Sequence, residues 1–135
     1  MFMNKIISLH LQIKTVSEAN CSEHWSKKNN RHKSQKKSIW WAFKSMGTKI
    51  PLPCVIKLTR ISPRTLDDDN LSMSLKWIRD SISEHIFPEK TIGRSRKIPG
   101  KSVKLAGRAD DDERISWQYG QEKGNPQSIR IDIFT

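Results

Sequence analysis

What this sequence has little of narrows it first. No apolar run exceeds a few residues, far short of the roughly 20 that span a bilayer, so a transmembrane helix is excluded. The first residues, Met1-Phe-Met-Asn-Lys-Ile-Ile, alternate like a strand and lack the apolar centre of a signal peptide. Cysteine is scarce: Cys21 and Cys54 stand far apart and fit no metal-ligand spacing, so free thiols in a reducing cytoplasm are expected rather than a disulfide. His10, His24, His32 and His85 form no zinc pattern, and no serine or cysteine nucleophile arrangement is visible. Acid is short as well, with 14 Asp and Glu against 25 Lys and Arg, a formal net charge of +11 on 135 residues. A chain this basic is expected to meet polyanions, nucleic acid before an anionic membrane surface. At 35% apolar residues the expected core is modest, within a single domain spanning residues 1–135.

What is present has a readable order. Ile7, Leu9, Leu11 and Ile13 alternate as a half-buried strand. Ser22 is an N-cap candidate with Glu23 behind it, and Trp25, Ile39, Trp40, Phe43 and Met46 recur at helical spacing from Glu23 to about Met46. Gly47, Pro51 and Pro53 stop that helix. Cys54 to Ile61 is a β-branched strand, and Asp67 to Asn70 open a second helix whose stripe is Leu71, Leu75, Ile78 and Ile82. Pro88 ends it. Residues 89–108 are basic and aperiodic, a long loop of the kind that carries function or stays unfolded. Ile115-Ser-Trp117-Gln-Tyr119 and Ile129-Arg-Ile131-Asp-Ile133 alternate as two more strands, joined at Gly124-Asn125-Pro126 in an expected antiparallel hairpin. The fold expected is α+β, a small mixed sheet of about four strands with two helices in the order β-α-β-α-loop-β-β.

Two acidic runs interrupt this basic chain, Asp67-Asp68-Asp69 and Asp110-Asp111-Asp112-Glu113. Crowded carboxylates repel unless a cation or water screens them. Helix capping needs one aspartate, perhaps two, and the first run has three. Mg²⁺ takes oxygen ligands, keeps several waters and activates one of them against phosphorus, so a few carboxylates from separate elements suffice. Against this stand capping and solvation for the first run, and a solvated turn for the second. Lys76 reads either as a phosphate clamp or as an i,i+4 partner of Asp80. Lys27, Lys28, Arg31, Lys33, Lys36 and Lys37 give the first helix an excess of one sign that suits phosphate contact. The five tryptophans are expected mostly in the core, with one exposed ring able to stack on a base.

These residues resemble a family. Leu66-Asp-Asp-Asp-Asn-Leu71, Leu75-Lys76, Arg79-Asp80, Asp111-Asp112 ahead of Ile115-Ser-Trp117, and the Ile129-Arg-Ile131 strand are similar to the RusA-like Holliday junction resolvases, endonucleases of bacteria and prophages. Glu23-His24-Trp25 and Arg31-His-Lys33 look like the phage-borne branch. The likeness runs from about Ser17 to the C-terminus. It implies a homodimer whose subunits each cut one strand of a four-way junction with Mg²⁺ (Mn²⁺ as a substitute). Carried over residue by residue, it implies Asp67, Asp69 and Asp112 as catalytic metal ligands, Asp111 beside the last, and Asn70 next to the DNA. This sequence departs from the pattern twice. Met73 stands where the best-known form has a lysine, with Lys76 one turn later, and the basic 89–108 segment replaces a short link. The rival expectation is a basic nucleic-acid-binding protein without catalysis.

Overall fold

The computed structural model describes residues 4–16, 24–88 and 111–135. Ser22, Glu23, Cys21, Asp110 and the basic 89–108 loop lie outside the described residues. The element order is β1 (Lys5–Leu11), α1 (Trp25–Met46), β2 (Cys54–Ser62), α2 (Asp68–Ser74), α3 (Lys76–Ile86), β3 (Ile115–Lys123) and β4 (Ser128–Phe134). The α+β class and the four-stranded mixed sheet are as expected from the sequence, with three helices in place of two.

The first helix starts at Trp25, where His24 caps it: Nδ1 of His24 accepts from the Ser26 amide at 3.2 Å. Gly47 ends it in the left-handed region, φ 64°, where a side chain would be strained. The second expected helix is two. Leu75 sits between them, its amide donating to the Ser72 carbonyl at 3.2 Å, a tightened turn. The cause is local: the Ser72 and Ser74 hydroxyls donate to the carbonyls of Asp69 and Leu71, at 3.0 and 2.7 Å, and such back-bonding bends helices. Even so the expected stripe holds, since Leu71, Leu75, Ile78 and Ile82 are all buried.

The strand order is β1-β4-β2-β3, with β4 antiparallel to both neighbours and β3 parallel to β2. This corrects the expected hairpin: β3 and β4 are not partners. Their link passes over the end of β2, a gap of about two strand spacings, ~10 Å, which four residues cover. Gly124 makes that crossing. Its amide donates to the Ser62 carbonyl at 3.1 Å, and a Cβ there would stand 2.9 Å from Cγ2 of Ile61. Turn residues mark a reversal of direction but do not say which strand the chain pairs with next.

Ile39 and Phe43 of α1 and the α2–α3 stripe pack with Ile56, Leu58, Ile129, Ile131 and Ile133 into one buried cluster. The tryptophans depart from expectation. Trp25, Trp40, Trp41 and Trp77 are exposed, and only Trp117 packs partly against the core.

The opposite sheet face carries a charged network centred on Asp132, whose side chain is only 5% exposed. It accepts from the Ser8 hydroxyl at 2.7 Å and from Arg130 Nε at 3.2 Å, with Lys5 at 3.5 Å. Burial pushes this carboxyl upward, but the Ser8 and Arg130 hydrogen bonds and the Lys5 charge outweigh it and leave the pKa below its ordinary 3.8. A depressed carboxylate means the unfolded chain binds more protons, so stability rises with pH through this window. Its contribution is complete above the unfolded pKa and disappears as pH falls through the lower, folded value. Asp132→Asn is therefore expected to cost about 1–3 kcal/mol near neutrality. It should also flatten the acid limb of the thermal midpoint below pH 4, measured by melting across pH.

Candidate functional site

β3 organises the acidic region. One residue ahead of the first acidic run, Leu66 is clamped to β3 from both sides. Its amide donates to Gln121 Oε1 at 2.9 Å, and Gln121 Nε2 donates to its carbonyl at 2.6 Å. Asp67 then caps α2, its Oδ1 accepting from the Asn70 amide at 2.9 Å, and Asp68 and Asp69 occupy the exposed first turn. The second run precedes β3 at its other end. Gln121 and Ile115 are six residues apart on an extended strand, about 20 Å.

The α2–α3 corner bridges that distance. An open pocket of about 300 Å³ is lined by Ser72, Met73, Lys76, Arg79, Asp111 and Tyr119. It brings Asp111, of the second acidic run, against α2, which Asp67 caps, and against the start of α3. Arg79 ties α3 to β3, donating to the Tyr119 hydroxyl at 2.9 Å with its guanidinium 5.0 Å from the Trp117 ring centre. Met73 and Lys76, three residues apart across the α2–α3 corner, line the same pocket.

Asp111 and Asp112 part company. Asp111 lines the pocket, whereas Asp112 is held by Arg114, which donates from Nε and Nη2 at 3.0 Å each and from its own amide at 3.0 Å. Arg114 in turn lies 4.7 Å over the Phe87 ring at the end of α3. Asp67 and Asp69 do not line the pocket. Among the described residues, no three of His, Cys, Asp and Glu stand close enough together to hold a metal ion. The donor set of the two runs is all carboxylate oxygen, the chemistry a hard cation takes. As placed, Asp67 is engaged in capping and Asp112 in an ion pair.

The first helix lies beside α3, joined by a Lys36–Glu84 ion pair at 2.9 Å and by the His32 and Trp77 rings, stacked with centres 3.8 Å apart. Lys27, Lys28, Lys33, Lys36 and Lys37 are exposed and Arg31 is partly so; α1 contains no acidic residue. Lys44 lies 4.4 Å over the Trp40 ring, which meets Trp41 edge-on. Sequence reasoning missed Arg79, Tyr119, Gln121 and the His32–Trp77 stack. A signal existed for Trp77, which falls off the Leu71–Ile82 stripe and so had to face away from the sheet. None existed for Gln121, whose partner is 55 residues away.

No helix among the described residues is long and apolar enough to cross a membrane. Compared with protein-family models, with curated proteins and with solved structures, the chain matches none.

Proposed function

We propose that this chain is a divalent-metal-dependent endonuclease that cuts branched DNA, working as a homodimer in cytoplasmic recombination and repair. One observation carries the reading: Asp111 shares a pocket with Lys76 and Arg79 at the corner where α2, the helix that Asp67–Asp69 open, meets α3. The carboxylates of Asp67, Asp69, Asp111 and Asp112 would hold Mg²⁺, which when bound supplies a polarised phosphoryl oxygen and an activated water. As placed the set is open: Asp67 caps α2, Asp69 lies outside the Asp111 pocket and Asp112 is held by Arg114. Closing it requires the acidic turn to move toward Asp111 as well as Asp112 to exchange Arg114 for the cation. Lys76, exposed on the pocket wall, receives the scissile phosphate and offsets charge building on it. Arg79, oriented by Tyr119, is the second cation of the same wall. Asn70, in the first turn of α2, stands next to the DNA. Lys27, Lys28, Arg31, Lys33, Lys36 and Lys37 hold phosphates along α1 without reading sequence.

A second reading is a nucleic-acid-binding protein without catalysis. The Asp112–Arg114 pair favours it, because a satisfied carboxylate needs no cation. Two measurements separate the readings. Incubated with Mg²⁺ and four-way junction, duplex or single-stranded DNA, the protein is expected to cut the junction at paired, symmetry-related positions. Mg²⁺ or Mn²⁺ is also expected to raise the thermal midpoint with saturation, since binding to the folded state alone stabilises it. An intact junction together with a metal-independent midpoint would leave the non-catalytic reading.

A further inference from the structure

On the other side of α3 from the Asp111 pocket, a second pocket of about 230 Å³ lies between α1 and α3. Trp77 forms part of its wall, 38% exposed and stacked on His32 at 25° between ring planes. The two rings come from different helices, so each holds the other's orientation. Asn29, Asp80, Ser81 and Glu84 line the same pocket with hydrogen-bonding groups of both senses, and Lys33 and Lys36 complete it.

We infer that this pocket takes an unpaired nucleobase, stacked on Trp77. Its chemistry selects a base over a phosphate. A phosphate would meet two carboxylates, Asp80 and Glu84, with Lys36 already paired to Glu84 at 2.9 Å, whereas a base is neutral, carries donors and acceptors on its edge, and has a face for the indole. The lysines on the rim then contact the backbone on either side. A base inside a duplex is stacked on both faces and cannot offer one, so the occupant comes from a single strand, a branch point or an extruded nucleotide. Position gives the pocket its use. Lys76 lines the Asp111 pocket and Trp77, the next residue, stands about 100° away around α3, so the two pockets adjoin one helical turn and a strand anchored by its base at Trp77 passes over that turn to the proposed cutting site.

The inference takes from the proposed function only that nucleic acid is the ligand, and its test needs no cleavage. In EDTA, affinities are measured by fluorescence anisotropy for oligothymidylate and for an oligomer of equal length made of abasic tetrahydrofuran residues. The intact protein is expected to prefer the base-bearing strand by about tenfold, the scale of one base–aromatic stack. Trp77→Ala is expected to cut that preference at least about threefold, by weakening only the base-bearing complex, while Trp77→Phe keeps most of it. Trp41→Ala, at a ring 52% exposed on another face of α1 and outside the pocket lining, is expected to leave it unchanged. Equal affinity of the intact protein for both strands overturns the inference with no variant needed. So does a preference that survives Trp77→Ala undiminished. Binding of neither strand would instead remove the nucleic-acid reading itself, whereas binding with the base preference but no junction cleavage would remove only the nuclease.

Discussion

Asp69→Asn is expected to lower the rate of junction cleavage by about a hundredfold or more while junction affinity holds or rises. The change removes one charge and no volume. Asp69 is exposed in the first turn of α2, so little stability is at stake: a lost interaction with the helix dipole is worth about 0.3–1 kcal/mol. What is lost is a ligand, and with it the charge that draws the cation to the phosphate. Binding behaves oppositely, because a negative group beside a phosphate opposes it. Asp68→Asn supplies the control within the same turn, with the same dipole loss and no assigned contact, and should cut like the unaltered chain. Single-turnover cleavage and gel-shift affinity, measured side by side, check both halves. If the Asp69→Asn variant cuts at the normal rate, Asp69 is not part of the site.

Leu75→Ala is expected to destabilise the fold by about 2–5 kcal/mol, read from the midpoint and slope of a denaturant melt. Leu75 is fully buried at the joint of α2 and α3, so truncation leaves a cavity where two helices are held to one sheet. Leu75→Met conserves volume and should cost less than about 1.5 kcal/mol. Met73, two residues earlier and 46% exposed, is the contrast: Met73→Ala should fall within about 0.5 kcal/mol of the parent. The same joint carries the site, with the acidic turn on one side and Lys76 on the other. A loosened joint should therefore lower cleavage more steeply than it lowers phosphate binding by α1.

Particular elements show how far the residues could be read in advance. The Asp67 cap, the Gly47 stop and the Leu71–Leu75–Ile78–Ile82 stripe were legible because each is decided within a few residues, by capping geometry or by helical period. The break at Leu75 was not, since Ser72 and Ser74 are tolerated in a straight helix and only their actual hydroxyl partners bend it. Trp40 and Trp25 shared a period with Ile39 and Phe43, yet the helix buries a narrower strip than its apolar residues could fill.

By itself the sequence determined where the four strands lie, roughly where helix forms though not its break at Leu75, which residues face inward on β1, β4 and the α2–α3 stripe, and that a helix rich in positive charge lies in the same chain as two acidic runs. Those properties follow from local period and from charge, which the chain carries whether folded or not. The tertiary structure alone decided that β4 sits between β1 and β2, that Asp111 and not Asp112 faces Lys76, and that His32 stacks on Trp77. Each of these is a choice among partners distant in sequence, settled by which surfaces meet when the core closes, and no period of two or 3.6 residues encodes it.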